Sequence, residues 1–152
     1  MGVTIVPARR SHIAPIAARM RAIDRREAEA FGRTPRQALR VGLAGSVLCF
    51  TALVDGVPHA MFGVVPGSAI DRRGQPWFLG SDEVMRHGRA LLAIGRPIIA
   101  RMRAECGMLG NFISCENHRA IALLRRWGFA IGAEPVTFGG MPFLPFWSEN
   151  DV

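Results

Sequence analysis

Asn111 to Phe129 reads NFISCENHRAIALLRRWGF, and this stretch decides how the rest of the chain is read. Phe112 and Ile113 are apolar and β-prone, so it opens as a short strand. A polar group, Ser114-Cys115-Glu116-Asn117, follows at once. Asn117 is a natural N-cap, because its side-chain oxygen can accept an N–H from the first helical turn. A helix then runs to about Trp127. Ala120, Ile121 and Leu124 share one face at three- and four-residue spacing, while Arg119, Arg125 and Arg126 fall largely elsewhere. Gly128 ends the helix in the position where a left-handed backbone costs glycine least. Phe129 starts the next strand.

Asn117, Ala120-Ile121 and Gly128-Phe129 resemble the N-x-x-A-I … G-F signature found late in the GCN5-related N-acetyltransferases, the GNAT fold. The resemblance implies that Asn117 lies beside the pantetheine or pyrophosphate of acetyl-CoA. Any capped amphipathic helix ending in glycine shares part of this pattern, so the order of elements along the chain has to decide.

The chain has 152 residues, which suits one domain with a real core. Its apolar content of 49% argues against wholesale disorder. No apolar run approaches the ~18 residues of a membrane helix. The start, MGVTIVPARR, lacks the basic, apolar, small order of a signal peptide, so a soluble, unsecreted protein is expected. Cys49, Cys106 and Cys115 have no metal-site spacing; no metal is expected, and reduced thiols in the cytoplasm are the simplest reading. Net charge is +7, and all 19 basic residues are arginine. A GC-rich genome is the plain cause. Arginine forks suit phosphates all the same, whether on nucleic acid or on an anionic cofactor.

From the start, Val3 to Val6 reads as a strand ended by Pro7. Ser11 is read as the N-cap of a helix carrying Ile13, Ile16, Ala17 and Met20. Asp24 to Phe31 is a short charged helical piece, and Thr34-Pro35 caps and starts a helix to Gly45. Val47 to Val54 and Val57 to Val65 form a hairpin about Asp55-Gly56. A polar loop, 66–76, leads to a short strand, Trp77 to Leu79. Ser81-Asp82-Glu83 reads as a cap and acidic first turn. The next helix carries Leu91, Ile94, Ile98 and Met102, with a kink or break expected at Pro97. After the opening stretch come strands near 129–138 and 142–148, joined at Gly139-Gly140, with 148–152 as a frayed tail. The apolar run Met141 to Trp147 is read as a core strand, with an edge contact to another chain as second choice.

The order β, α, α, β, β, β, α, β, α, β, β is that of the GNAT fold. The fold class expected is therefore α/β (α+β). One GNAT-like domain spans 1–152, with a central mixed sheet of about six to seven strands and helices on both faces. The strands near 77–79 and 110–114 are expected to run parallel.

The resemblance also implies a phosphate loop between Leu79 and Leu91, with the pattern Q/R-x-x-G-x-G/A. Met85-Arg86-His87-Gly88-Arg89-Ala90 keeps the glycine and the final alanine, but Met85 replaces the leading Gln or Arg. Gly88 would admit a phosphate to the backbone, and Arg86 and Arg89 could pair with it. The cofactor-binding candidates are thus Arg86, Gly88, Arg89, Ala90 and Asn117. The family's usual general acid is a tyrosine seven residues after the Asn; here that position is Leu124, and the chain contains no tyrosine. Cys115 and His118 could give a proton instead, or serve as a small core residue and an exposed turn polar. Glu83 could be a base, or only a partner of the helix dipole. His59, among apolar neighbours, reads as a satisfied structural histidine.

A closer resemblance bears on function. Trp77, Phe78, Ser81, Asp82 and Val84, then Asn117, Ile121, Leu124 and Gly128, match the spacing in small internal virion proteins of short-tailed phages, whose GNAT-like fold is degenerate. It implies a virion or virion-assembly protein that uses the scaffold for contacts with other virion proteins or with itself. Such a protein would require no cofactor and would be found in the host cytoplasm and then the virion. The alternative is an active acetyl-CoA-dependent N-acetyltransferase on a small-molecule or protein amine. A third reading is an arginine-rich module that touches DNA. The missing loop residue and missing tyrosine lead to an expectation of weak or absent acetyl-CoA binding and no measurable turnover with common amines.

Overall fold

The computed structural model describes residues 2–68, 70 and 72–148. Its strands are β1 (Val3–Pro7), β2 (Leu48–Val54), β3 (Val57–Pro66), β4 (Arg73–Gly80), β5 (Met108–Ser114), β6 (Phe129–Ile131), β7 (Val136–Phe138) and β8 (Met141–Ser148). Its helices are α1 (Ile13–Ala18), α2 (Ala22–Ala30), α3 (Pro35–Gly45), α4 (Asp82–Met85), α5 (Gly88–Cys106) and α6 (His118–Arg126). The eight strands form one mixed sheet in the order β1-β2-β3-β4-β5-β8-β6, with β7 also paired to β8. The expected six to seven strands become eight because the segment 129–138 is two strands. Both lie against β8, but they are interrupted opposite Pro145.

Alternation along β3 assigns the two faces. Met61 points to one side and packs with Ile13, Ile16 and Leu39 of α1 and α3. Ala60, Phe62 and Val64 point to the other and pack with Leu91, Ile98 and Met102 of α5 and Ile121 of α6. Helices therefore cover both faces, as expected.

Local signals account for several boundaries. The Thr34 hydroxyl accepts from the Gln37 N–H, and the Gln37 side chain accepts from the Thr34 N–H, which closes a capping box. Asp55 and Gly56 both have positive φ (50° and 79°), as a two-residue hairpin turn requires. Gly128, at φ 94°, ends α6. Ser81 caps α4 by accepting from the Val84 N–H. No helix of the described residues is long and apolar enough to cross a membrane.

Other expectations are corrected. Ser11 caps nothing: it lies inside a 3-10 turn, Arg10–His12, and the Arg9 N–H donates to the His12 ring instead. The strand expected at 77–79 starts four residues earlier, at Arg73. Pro97 does not break its helix, which is continuous from Gly88 to Cys106. A proline inside a helix costs ~3 kcal/mol; burial of Leu91, Ile98, Met102 and Cys106 on one side offsets it. Ser148 is not frayed: it is buried in β8, and its hydroxyl accepts from the Leu109 N–H. The rest of the expected tail, 149–152, lies outside the described residues. Met141, Phe143 and Phe146 are buried, so the last apolar run is core.

Candidate active site

β4 and β5 run parallel but pair only at Arg73–Met108 and Gly74–Leu109. Beyond that the strands part. The Arg21 N–H donates to the Gly80 carbonyl, the Gly80 N–H donates to Asp24, and the Pro76 carbonyl accepts from Asn111 of β5. Gly80 and Pro76 therefore turn their peptide groups away from β3 and toward the gap. Alternation along the strand turns the N–H and C=O of Phe78 the same way. A cavity of about 570 Å³ opens at this parting and is walled by α2, α3, α5, α6 and both strands.

A chain of polar side chains joins the far ends of β4 and β5. Asp24, fully buried on α2, accepts from the Gly80 N–H (2.9 Å) and from Arg21 Nη2 (2.8 Å). Arg21 Nη2 also donates to Asn117 Oδ1 (3.2 Å). Asn117 Nδ2 donates to Glu27 Oε1 (3.1 Å), and the Ser114 N–H donates to the same oxygen (3.0 Å). Burial pushes the Asp24 carboxyl up, against the pull of Arg21 and the Gly80 N–H. Asn117 is thus not the side-chain N-cap expected of it. It sits at the cap position of α6, yet both ends of its amide are taken by Arg21 and Glu27.

Glu27 is the group that the sequence reading missed. It lines the cavity, and burial, then the nearby Asp24 charge, pushes its carboxyl up to about 7. Both of its hydrogen bonds fall on Oε1. Oε2 takes none from a described residue and is not sealed from solvent. The charged run around it reads as a solvated helix. The available signal was the pair Asp24 and Ala28, four apart, which marks the buried side of α2 next to Glu27.

The sequence-based proton donors and acceptors fall elsewhere. Glu83, Cys115 and His118 are absent from the cavity wall. Glu83 pairs with Arg86 (2.7 Å) and lies 3.8 Å from His87; His118 is exposed. Leu124, at the usual tyrosine position, does face the cavity but has no proton to give. The His59 ring nitrogen is 2.7 Å from the Ser81 hydroxyl, and burial lowers its pKa, so it is a satisfied neutral histidine. Burial raises the Cys49 thiol to about 11 and raises Cys106 as well, so neither is a nucleophile near neutrality.

A second, open cleft lies at the N-terminus of α5. Arg86, Gly88, Arg89 and Ala90 line it together, as the sequence suggested, and Arg119 and Arg126 of α6 join them from across. The last two stand seven apart, on one face of α6. Leu91 is the first α5 residue to donate to the turn before it, through the His87 carbonyl. The N–H groups of Gly88, Arg89 and Ala90 are therefore the free donors of the helix end. A side chain at Gly88 would meet nothing within 4 Å. Met85 lines both cleft and cavity. Donors, positive charge and an open backbone are what binding a phosphate requires.

No family model matches the sequence, and no curated protein matches it. Solved structures do. The chain is similar to a ribosomal-protein-alanine N-acetyltransferase from Brucella melitensis, with 16% identity, a TM-score of 0.66, and 97% of this chain and 99% of the other covered. It is similar to Ard1 from Thermoplasma volcanium, with 14% identity, a TM-score of 0.68, and 97% of each chain covered. It is also similar to AAC(6')-Ib in complex with ribostamycin and coenzyme A, with 17% identity, a TM-score of 0.67, and 99% and 94% covered. None of these three is a virion protein. With the parted strands and the element order, they settle the architecture: this chain has the GNAT acetyltransferase fold.

Proposed function

We propose that the chain is an acetyl-CoA-dependent N-acetyltransferase acting on an amine, with Glu27 as the group that accepts the amine's proton. The observation that carries this is an arginine-lined helix N-terminus that shares a wall residue, Met85, with a cavity at the β4–β5 parting, with Glu27 in the cavity wall. The complex of a similar structure with coenzyme A supports the same ligand here.

The residues present fit such a ligand. The free N–H groups of Gly88, Arg89 and Ala90, with Arg86, Arg89, Arg119 and Arg126, would hold its phosphates. Acetyl-CoA, when bound, supplies the activated acyl group. The Phe78 N–H and C=O offer hydrogen bonds to an amide-bearing chain in the gap. Glu27 Oε2, on a carboxyl with a pKa of about 7, takes a proton from a bound ammonium near neutral pH. The chain contains no tyrosine, so no phenol is available to protonate a departing thiolate.

With Met85 in place of the usual Gln or Arg, weak or absent acetyl-CoA binding is expected from the loop alone. Arg119 and Arg126 restore the charge that Met85 lacks, which weighs against that expectation. An enzyme that uses acetyl-CoA works where acetyl-CoA is, which for this chain would be the cytoplasm. Nothing in the fold favours the virion-scaffold reading over it.

Titration calorimetry with acetyl-CoA tests the reading. We expect micromolar binding that Gly88→Glu abolishes, since the new carboxylate enters open space without a clash and repels phosphate. Glu27→Gln should keep binding and lower kcat by ~10²–10⁴-fold. Absence of heat at millimolar acetyl-CoA returns the chain to the scaffold reading.

A further inference from the structure

Three charged residues line the cavity: Arg21, Glu27 and Arg33. Arg21 is spent on Asp24 at 2.8 Å. That leaves one anion, Glu27, and one cation, Arg33, whose guanidinium has no hydrogen-bond or ion-pair partner among the described residues. Between them in sequence is Phe31, which is 48% exposed although large and apolar. Glu27 and Phe31 are four apart, so they share a side of α2 with Cβ atoms ~6 Å apart. Arg33 follows just past the helix end. Phe31 rests against Phe138 (5.2 Å between ring centres) and Phe143 (5.4 Å), and Phe138 meets Phe112 edge-on at 4.9 Å. All four rings line the cavity.

Resting on the acetyltransferase reading, we propose that the acceptor is a free amino acid with an aromatic side chain. Its ammonium faces Glu27, its ring lies on the Phe31–Phe138 cluster, and its carboxylate pairs with Arg33. Charge complementarity decides between acceptor classes. A polyamine or aminosugar brings several cations to a wall with a single acid and an unpaired arginine. A simple arylamine leaves Arg33 unmatched. A peptide amine carries an amide where a free amino acid carries the carboxylate beside its ammonium, so it too leaves Arg33 unmatched. The aromatic cluster offers offset and edge-on ring contacts to the one remaining class.

The test compares phenylalanine, phenethylamine, spermidine and a peptide beginning with phenylalanine, by acetyl transfer and by direct calorimetric titration of each amine. We expect kcat/KM for phenylalanine to exceed that for phenethylamine at least tenfold, and Arg33→Gln to erase the difference between the two amines. Preference for spermidine or the peptide, or equal use of phenylalanine and phenethylamine by the unaltered protein, overturns the proposal. Turnover of those other amines leaves the acetyltransferase reading intact, so the two failures differ. Phenylalanine binding that depends on Arg33, in a protein that does not bind acetyl-CoA, upholds the amino acid site and removes the enzyme. Absence of phenylalanine binding in a protein that binds acetyl-CoA does the reverse.

Discussion

Glu27 sets stability and activity against each other. A glutamate in the unfolded chain loses its proton near 4.5, whereas in the fold Glu27 holds it to about 7. Between those values the folded state binds the extra proton, so stability falls as pH rises across the window and levels off above it. The carboxylate that a base requires appears over the same range, so the rate should rise as stability falls. One pKa unit is worth ~1.4 kcal/mol, and the open side of the cavity screens part of it, so the loss should be on the order of 1–2 kcal/mol. Urea melts at steps from pH 4.5 to 8 check this. Glu27→Gln should flatten the slope, and the rate profile should lose its rising limb near 7. Asp24, also raised by burial, acts in the same sense, so the difference between the two proteins isolates Glu27. A slope unchanged by Glu27→Gln would mean that its pKa is ordinary.

At the scale of elements, legibility followed locality. The Thr34-Pro35 start, the Asp55-Gly56 turn and the Gly128 stop were readable because each works through neighbours in sequence. The polar chain from Asp24 to Glu27 is not legible in this way, since Arg21 and Asn117 lie 96 residues apart and no periodicity links them. β4 was read too short because Gly74 and Pro76 look like loop. Pro76 is tolerated there because it faces the β5 gap, where a missing N–H costs no ladder bond. Gly95 in α5 has a similar hidden reason. A methyl group there would stand 2.5 Å from the Trp127 indole, whose Nε1 donates to the Leu92 carbonyl. In open solvent, Gly→Ala in a helix stabilises by ~1 kcal/mol. Here the rigid, hydrogen-bonded ring cannot yield, and overpacking costs ~1–3 kcal/mol, so the sign should reverse. Denaturant melts of Gly95→Ala check it; a gain in stability would show that α5 and α6 slide apart freely.

For the molecule as a whole, charge distribution matters more than the total of +7. Arginines spread over the surface attract any polyanion, whereas a cofactor site needs them concentrated. Arg86, Arg89, Arg119 and Arg126 are concentrated: they line one cleft, from the α4–α5 junction, α5 and α6. Of these, Arg119 and Arg126 are exposed and belong to no ion pair among the described residues, so replacing them should leave the melting temperature unchanged. If they hold phosphate, Arg119→Ala with Arg126→Ala should weaken coenzyme A binding about tenfold, or ~1.4 kcal/mol. The double change should also flatten the loss of coenzyme A affinity between about 50 and 200 mM salt, since fewer charges then meet the ligand. Duplex DNA is the control. Its binding draws on the whole basic surface and should change much less, because most of the 19 arginines remain. Titrations of both ligands at the two salt concentrations separate the outcomes. Equal losses for coenzyme A and DNA would favour a module that touches nucleic acid. An unaltered coenzyme A affinity would move the phosphate site off α6 and leave only the α5 N-terminus to carry it.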